Sequence, residues 1–415
     1  MSPGEPAPAV SSSIATRVQV FVFFTVFLDL VGFGIVIPLL PFYVKSMGGT
    51  AETVGFLLAS FSFTQLVATP FLGRWSDRFG RRPIILLSLT GNVIAMVVFA
   101  LATKVNLLPL LFASRILAGA TSGNLAACQA SIADVTTKGE ERAKGMGRLG
   151  AGIGLGLVIG PVLGGTISSV GAWAPPLAAA AMALADLIGA FFLMPETRVH
   201  RKPIAAPARA SHPRFSLAGI VAQKPLLLIL ALYFLTFLCM TNLQVALALL
   251  VKARLGWEER AVGHLFGLFG LLGLIIQGFL IGRLSRIVGE LRLLLIGIVA
   301  LGAGMAVIAA ATHGPLMIVG VTLVGIGFGV SVPLLSSIAS AHAGEEQQGA
   351  VLGFAQSSGG LARTIGPVWG GFLYGHLGAG APFTGGAVAA SIALFVGLML
   401  RRPSVPATAA KTDLV

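Results

Sequence analysis

Charged residues are scarce in this chain of 415 residues, because Asp, Glu, Lys and Arg make up only 10% of it while 56% of the residues are hydrophobic. About a quarter of the residues in a soluble globular domain carry charge, so this composition excludes that class. Cysteine is scarce as well. Cys128 and Cys239 both lie within apolar stretches, which excludes a disulfide framework and a cysteine-based zinc site.

The sequence also lacks the motifs that serve ATP-driven or hydrolytic chemistry. No GxxxxGK[ST], HExxH or GxSxG element is present, so we predict that the chain is not an enzyme and uses no cofactor or metal ion. The net charge of +13 does not indicate nucleic-acid binding, because the basic residues are spread over alternate loops and form no single patch.

Apolar sequence is what the chain has in abundance. From Val18 to Leu400, hydrophobic stretches near or above the roughly 18 to 20 residues needed to cross a bilayer recur between short breaks of Gly, Pro and charge. In lipid each backbone group must pair within its own segment, so we predict an all-α membrane protein. Twelve transmembrane helices are predicted near 18–44, 52–73, 83–103, 106–134, 143–169, 173–194, 225–251, 260–282, 290–312, 314–341, 348–376 and 380–400.

The twelve helices divide into two pseudo-symmetric bundles of six. Residues 195–224 are rich in Pro, Ala and basic residues, and we interpret them as a cytoplasmic linker. It separates an N-terminal six-helix bundle at 18–194 from a C-terminal one at 225–401. We expect a disordered N-terminus at 1–17, which is rich in Pro, Ala and Ser, and a cytoplasmic tail at 402–415.

Lysine and arginine mark one side of the predicted membrane. Of the 28, 21 lie in the termini, the linker and the loops on one side, and two lie inside spans. The positive-inside rule then places both termini in the cytoplasm, in a cell (inner) membrane. The five basic residues on the other side are Lys45, Lys104, Lys252, Arg254 and Arg260.

The two halves resemble each other in sequence. Ile159–Gly165 (IGPVLGG) recurs as Ile365–Gly371 (IGPVWGG), and Phe71–Gly80 has a weaker echo in Ile281–Gly289. Both echoes fall at equivalent spans of the two halves. A tandem six-span duplication is typical of secondary transporters, whose substrate site lies near the midplane between the repeats.

Four charged residues lie deep inside predicted spans, away from the ends of these spans. Asp29 lies near the midplane, where a charged carboxylate costs roughly 2.5–3.5 kcal/mol, so it is either paired or protonated. A neutral carboxyl there suits a proton carrier, and the alternative is an Asp held permanently in a hydrogen-bond network. Asp186 is a second candidate proton carrier, unless it reaches water at the cytoplasmic interface. Arg115 and Arg363 must each neutralise a carboxylate, face an aqueous cavity or contact an anionic group of the substrate.

Amide side chains in the spans are candidates for the wall of a substrate cavity, although each alone is more often a hydrogen bond between helices. With Arg363 they form the predicted substrate-binding set: Gln65, Asn124, Gln129, Gln244, Gln277 and Gln356.

Two features predict gates. The loop Gly73–Pro83 has spaced glycines and one acid among four arginines, which a merely basic loop does not require. We expect it to latch the two halves when the cavity faces outward. In the fifth span, glycines at four-residue spacing make a bare stripe that permits close helix packing and can slide or seal as the halves rock. The predicted gating residues are Gly73, Asp77, Gly80, Arg81, Arg82, Asp134, Gly152, Gly156, Gly160, Pro161 and Gly164.

These motifs resemble the major facilitator superfamily. The loop Gly73–Pro83 is similar to its GxxxDxxGRR signature, Arg115–Gly119 to its intramembrane arginine motif, and Gly152–Gly165 to its antiporter motif. Leu28 and Asp29, with the glycines and prolines that follow, resemble the first span of tetracycline efflux proteins and related drug:proton antiporters. The resemblance implies the major facilitator fold and proton-coupled transport, with Asp29, Arg115 and Asp186 as the proton-coupling candidates.

We therefore predict a proton-coupled antiporter that exports small hydrophobic or amphipathic compounds by alternating access. Its expected partners are a small-molecule substrate, protons and the lipid bilayer, and we expect a monomer. The alternatives are an importer or facilitator of a metabolite and a transport-inactive receptor or scaffold. Ala95, Gly273 and Leu301 replace ionisable residues that tetracycline exporters carry, so we expect a substrate that is neutral or has one acidic group near Arg115 or Arg363.

Overall fold

A computed structural model of the chain describes residues 12–136, 139–198, 223–343 and 348–400. Within these ranges every regular element is helical, as lipid requires of a backbone that must pair with itself. The first bundle consists of α1 (Ser12–Val36, a 3-10 turn Ile37–Leu39, then Leu40–Ser46), α2 (Ala51–Phe79), α3 (Arg81–Val105), α4 (Leu108–Ala120, then Asn124–Val135), α5 (Glu140–Ile167) and α6 (Ala174–Leu193). The second consists of α7 (Lys224–Leu255), α8 (Glu259–Ile275, a π-helical turn Ile276–Leu280, then Ile281–Val288), α9 (Glu290–Ala310), α10 (Gly314–His342), α11 (Gln348–Leu377) and α12 (Ala381–Leu398).

The twelve helices overlap the twelve predicted spans one by one, which confirms the predicted fold class. Three boundaries differ. The first helix begins at Ser12, inside the segment predicted to be disordered, and residues 1–11 lie outside the described residues. The predicted loop Gly73–Pro83 is almost entirely helical, since α2 continues to Phe79 and α3 begins at Arg81. Most of the predicted linker and all of the predicted tail lie outside the described residues.

One glycine turns the chain between α2 and α3. Gly80 has φ +109°, a conformation that side chains other than glycine rarely adopt, and its N–H donates to the Ser76 carbonyl oxygen at 3.2 Å. Gly289 repeats this turn between α8 and α9, with φ +85° and a bond to the Ser285 carbonyl oxygen at 2.9 Å. The sequence echo between the two halves therefore corresponds to a repeated backbone structure.

Helix α4 is the one transmembrane helix of the first bundle that breaks at membrane depth within the described residues. Its two segments are separated by Thr121–Gly123, and Thr121 and Ser122 face a central cavity. Irregular backbone inside a membrane is tolerated where it lines a cavity, because polar groups there are not left in lipid.

Ten of the twelve helices are long and apolar enough to cross a bilayer by length and composition alone, and α4 and α11 are the other two.

The two bundles meet along two seams. Helix α2 packs on α11, and α5 packs on α8. Each seam therefore contains one helix with the repeated IGPV motif, α5 of the first bundle or α11 of the second. We call the end of the molecule that carries the turns at Gly80 and Gly289 the basic face. The other end, which carries Asn106, Gly256 and Gly378, is the opposite face.

Candidate functional site

A cavity of about 250 Å³ lies between the two bundles. Both bundles contribute polar side chains to its wall, and the rest of the wall is apolar and aromatic. The charged and amide residues are Asp29, Gln65, Asn92, Arg115 and Asn124 from the first bundle and Gln244 and Arg363 from the second, and the hydroxyl residues are Ser62, Ser88, Thr121 and Ser122. The apolar and aromatic residues include Phe33, Leu58, Phe61 and Met96.

Asp29 is held at this wall by amides and not by a cation. The Asn92 Nδ2 group donates to one carboxylate oxygen at 3.0 Å. The Asn124 side chain faces the same carboxylate, although its Nδ2 does not reach hydrogen-bond geometry. Within the described residues no Lys, Arg or His lies within ion-pair distance of Asp29, so the predicted pairing with an arginine is not formed in this state of the protein.

Arg115 is deeply buried, with 2% of its surface exposed. Its guanidinium lies over the Phe99 ring at 4.8 Å, its Nη2 group contacts the Met96 sulfur at 3.8 Å, and its Nε has no hydrogen-bond partner among the described residues. Aromatic faces and sulfur compensate a buried guanidinium only in part. Arg115 therefore presents positive charge to the cavity.

Arg363 makes a matching arrangement from the other bundle. Its guanidinium lies 4.7 Å from the centre of the Phe237 ring, and the side chain is half-buried at the cavity wall. No carboxylate of the described residues lies within ion-pair distance of it. The cavity wall thus contains two guanidinium groups that lie over aromatic rings and one carboxylate that accepts a hydrogen bond from an amide.

Asp186, the second predicted proton carrier, does not line the cavity. Its side chain is 4% exposed, and its Oδ1 accepts a hydrogen bond from the Thr25 hydroxyl at 2.8 Å. Its Oδ2 is buried without a hydrogen-bond partner in the described part of the chain. The alternative that this carboxylate reaches water at the interface is therefore not realised in this state.

The predicted amide residues divide into two groups. Gln65, Asn124 and Gln244 line the cavity, whereas the side chains of Gln129, Gln277 and Gln356 are exposed elsewhere. The sequence places a residue along a helix but does not say toward which neighbour its side chain turns. Thr25 was not among the predicted site residues, and its position four residues before Asp29, on the same helix face, was the available signal.

At the opposite face the seams between the bundles are tightly packed. A Cβ atom on Gly371 in α11 would lie 2.5 Å from the Ala51 carbonyl oxygen, and Gly55 in α2 abuts the Pro367 carbonyl in the same way. In the other seam, Gly263 in α8 abuts the Pro161 carbonyl. Only glycine fits at such contacts, so these residues close the cavity on that side.

Nearer the basic face, glycines on the same helices make no such contact. A Cβ atom on Gly73 in α2, Gly353 in α11, Gly147 in α5 or Gly282 in α8 would meet no atom within 4 Å. Each of these glycines lies on a seam helix, nearer the basic face than the packed glycines above. The protein is therefore in the state that is closed at the opposite face and open toward the basic face.

The predicted latch is assembled within the first bundle. Arg81 pairs with Asp77 at 2.7 Å and with Asp134 at 2.9 Å, and the Glu196 carboxylate accepts a hydrogen bond from the Arg81 backbone N–H at 2.9 Å. Arg82 donates to the Phe191 carbonyl oxygen at 2.6 Å. These partners belong to the first bundle or, in the case of Glu196, directly follow its last helix, so in this state the charges do not join the two halves.

The glycine stripe of α5 packs inside the first bundle as well. Cβ atoms on Gly152, Gly156 and Gly160 would meet α1 at 3.0 Å or less, and Gly164 abuts the Ile35 carbonyl. The stripe therefore holds α1, the helix of Asp29, tightly against α5. The seam side of α5 is formed by Pro161 and its neighbours instead, so Pro161 is the one predicted gating residue of this helix at the contact between the bundles.

Comparison with known proteins identifies the family. The sequence profile of the Major Facilitator Superfamily matches residues 22–241 and 229–414. The chain belongs to this superfamily. The class C tetracycline resistance protein of Escherichia coli is 34% identical over 83% of this chain and 86% of its own length.

Two further relatives extend the comparison. Multidrug resistance protein 2 of Bacillus subtilis is 30% identical over 84% of this chain and 86% of its own. The crystal structure of the human organic anion transporter MFSD10 superposes with a TM-score of 0.68, at 27% identity, over 92% of this chain and 99% of that one. This superfamily consists of membrane transporters, and tetracycline and multidrug resistance proteins are among the relatives of this chain.

Proposed function

We propose that this protein is a proton-coupled antiporter that exports small amphipathic compounds by alternating access. The observation that carries the proposal is Asp29, a carboxylate at the wall of the inter-bundle cavity that rests on amide groups and has no cation partner among the described residues. Such a group can take up and release a proton when the cavity changes the face to which it opens. The resistance proteins among the relatives support export as the direction.

We propose that the basic face lies in the cytoplasm of the cell membrane. The excess of Lys and Arg on that side supports this orientation. The structure then represents the inward-open state, in which a substrate enters from the cytoplasm or the inner leaflet. Cytoplasmic loading is the first step that an exporter requires.

The cavity wall supports an amphipathic substrate. Its volume of about 250 Å³ lies just below the range of small-ligand pockets, about 300–1,000 Å³, so the substrate is small. Phe33 and Phe61 offer apolar contact, while Arg115 and Arg363 offer positive charge. Apolar walls discriminate weakly, but an unpaired buried charge demands a partner. An apolar body with one polar or acidic end matches this combination, whereas a sugar or a polycation does not.

The direction of proton movement relative to substrate movement further limits the class of substrate. A compound that offers a hydrogen-bond donor or positive group to charged Asp29 competes with a proton for that carboxylate, and competition is what antiport requires. A compound with only a negative group binds better once Asp29 is neutral, so its binding and proton binding reinforce each other. We therefore propose that exported substrates pair a donor for Asp29 with an acceptor or acidic group for the arginines.

Purified protein in proteoliposomes tests this proposal. Three amphiphiles of similar size are compared: an uncharged one with a donor group, a zwitterion and a simple monoanion. Proton movement is followed with a pH-sensitive dye. We expect the first two compounds to drive protons in the direction opposite to their own flux. Proton flux in the same direction as every transported compound, or sugar uptake as the only activity, would contradict the proposal.

A further inference from the structure

Asp186 is a buried carboxyl that the mechanism above does not use. It lies in α6, seven residues before the helix ends at Leu193, with 4% of its surface exposed. Within the described residues no Lys, Arg or His lies within ion-pair distance of it, so it does not serve as one half of a salt bridge there. A charged residue is expensive at such a site, and its presence calls for an explanation.

Its contacts lead to the helix of Asp29. The Thr25 hydroxyl donates to Asp186 Oδ1 at 2.8 Å, and Thr25 lies one helical turn from Asp29 on the same face of α1. Four residues of helix rise by about 6 Å, so Asp186 lies about one turn closer to the basic face than Asp29. Along the helix axis, Asp186 therefore lies between Asp29 and the basic face.

The two carboxyls influence each other electrostatically, and the Cys128 thiol of α4 lies within reach of both. These are the titratable groups that act on Asp186 from α1 and α4, and its other packing partner in this region, α3, supplies no cation within ion-pair distance. An ionised Asp186 would leave Oδ2 buried and unpaired, because Thr25 satisfies only Oδ1. The site is satisfied when Asp186 holds a proton or when water enters from the basic face.

We propose that Asp186 is a second proton-holding group, in series with Asp29 and linked to it through Thr25. The inference rests on the proposed proton-coupled transport. A hydroxyl both accepts and donates, so Thr25 can give its proton to an ionised Asp186 while it takes one from a water molecule that bridges the helical turn to protonated Asp29. Protons released by Asp29 in the state open to the basic face pass by way of Asp186, and the two carboxyls lose their protons one at a time because charge on one opposes charge on the other.

Three variants test this role. Asp186→Asn preserves the acceptor for Thr25 but cannot hold a transferable proton. Thr25→Val removes the hydroxyl, and Thr25→Ser keeps it. Thr103→Val is the matched control, because that hydroxyl bonds only the Ala100 carbonyl of its own helix, at 2.8 Å.

Each variant is reconstituted as the full chain, and substrate exchange without a proton gradient is compared with gradient-driven accumulation. We expect Asp186→Asn to retain exchange within about twofold and to lose about tenfold in gradient-driven accumulation, with a shifted pH profile. Thr25→Val should show the same pattern more weakly, and Thr25→Ser and Thr103→Val should resemble wild type. Wild-type accumulation and an unchanged pH profile in Asp186→Asn would overturn the proposal.

If Asp186→Asn does not fold, the two Thr25 variants decide. Equal behaviour of Thr25→Val and Thr25→Ser would then overturn the relay.

An infrared difference spectrum of the purified protein separates this inference from the proposed function. A protonated-carboxyl band that Asp29→Asn retains and Asp186→Asn loses supports a proton on Asp186 even if wild type moves no protons with substrate. Absence of that band in wild type at every pH would overturn the inference alone.

Discussion

The two six-helix bundles share one scaffold but differ in the charge they bury. The turns at Gly80 and Gly289 have the same backbone form, and the IGPV segments of α5 and α11 both lie at seams. The first bundle nevertheless contributes Asp29 and Arg115 to the cavity, whereas the second contributes Arg363 as its charged group there. Duplication has thus kept the backbone geometry and left the charges to differ.

The same contrast appears at the basic face. In the first bundle Arg81 joins Asp77 and Asp134 in an ionic cluster. At the equivalent start of α9 the second bundle has Glu290, which accepts a hydrogen bond from the Ser337 hydroxyl at 2.8 Å. We infer that proton binding takes place in the first bundle and that the second bundle mainly provides the surface against which the first bundle moves.

The largest expected effect comes from removing Asp29, the proposed proton carrier of the first bundle. Asp29→Asn keeps an acceptor for Asn92 but cannot exchange a proton, so we expect uphill export to fall by about a hundredfold or more while substrate still binds, independently of pH. Gradient-driven transport and equilibrium binding across a pH series measure the two parts. Gln244→Ala, on the cavity wall of the second bundle, is the comparison and should alter affinity without abolishing coupling. Proton-driven accumulation in Asp29→Asn would break the division between the bundles.

The next effect concerns what the bundles have in common, the two seams. Gly263→Ala in α8 and Gly371→Ala in α11 each add a methyl group where a carbonyl oxygen lies within about 2.5 Å. Overpacking of this kind costs about 1–3 kcal/mol, which is about a 5- to 150-fold shift in a two-state equilibrium. We expect both variants to favour the state open at the opposite face and to slow transport to a similar degree.

Matched controls exist on the same two helices. Gly282→Ala in α8 and Gly353→Ala in α11 add the same methyl group in open space, so both should transport at nearly the wild-type rate. Cysteine accessibility at Ala51→Cys, which is buried at the α2–α11 seam on the opposite face, reports the change in state. A clear difference between the two seam variants would show that the seams are not equivalent, and an effect of the controls as large as that of the seam variants would remove the steric explanation.

Much of this architecture could be predicted from the sequence, because the physics of lipid leaves few choices. Apolar length between breaks of Gly, Pro and charge predicted twelve helices, and the linker together with the IGPV repeat predicted two halves. The turn at Gly80 was harder, since basic residues from Arg74 onward resemble a loop. They remain helical because no proline interrupts them before Pro83, near the start of α3, and because Gly80 alone can make the turn.

The candidate site was predicted less completely, for a reason of geometry. Asp29, Arg115 and Arg363 could be identified because a charged side chain inside a membrane is costly in whichever direction it points. Its presence there therefore indicates a function. An amide has no such constraint, and Gln129, Gln277 and Gln356 are exposed and do not belong to the cavity wall that Gln65 and Gln244 line. The glycine stripe of α5 likewise indicated close packing but not its partner, which is α1.

A smaller effect is expected at the ionic cluster of the first bundle. Asp77→Asn removes one of the two carboxylates that hold Arg81, while the Asp134 pair at 2.9 Å remains. Exposed or half-exposed ion pairs contribute about 0–1 kcal/mol each, so folding should be nearly unchanged. We expect the transport rate to fall by about fivefold, because the cluster can join the second bundle only when the basic face closes. Unchanged transport and an unchanged balance between the two states would contradict the predicted latch.

The smallest effect is expected at Glu290, the counterpart in the second bundle. Glu290→Gln removes the charge but keeps a carbonyl oxygen for the Ser337 hydroxyl, and replacing one exposed hydrogen bond of this kind alters stability by less than about 1 kcal/mol. We expect the transport rate to stay within about twofold of wild type, and thermal unfolding in detergent should show the same midpoint. The double variant with Asp77→Asn should then behave as Asp77→Asn does. A loss in Glu290→Gln as large as that in Asp77→Asn would mean that both bundles carry a charged latch, and the contrast between them would be confined to the cavity.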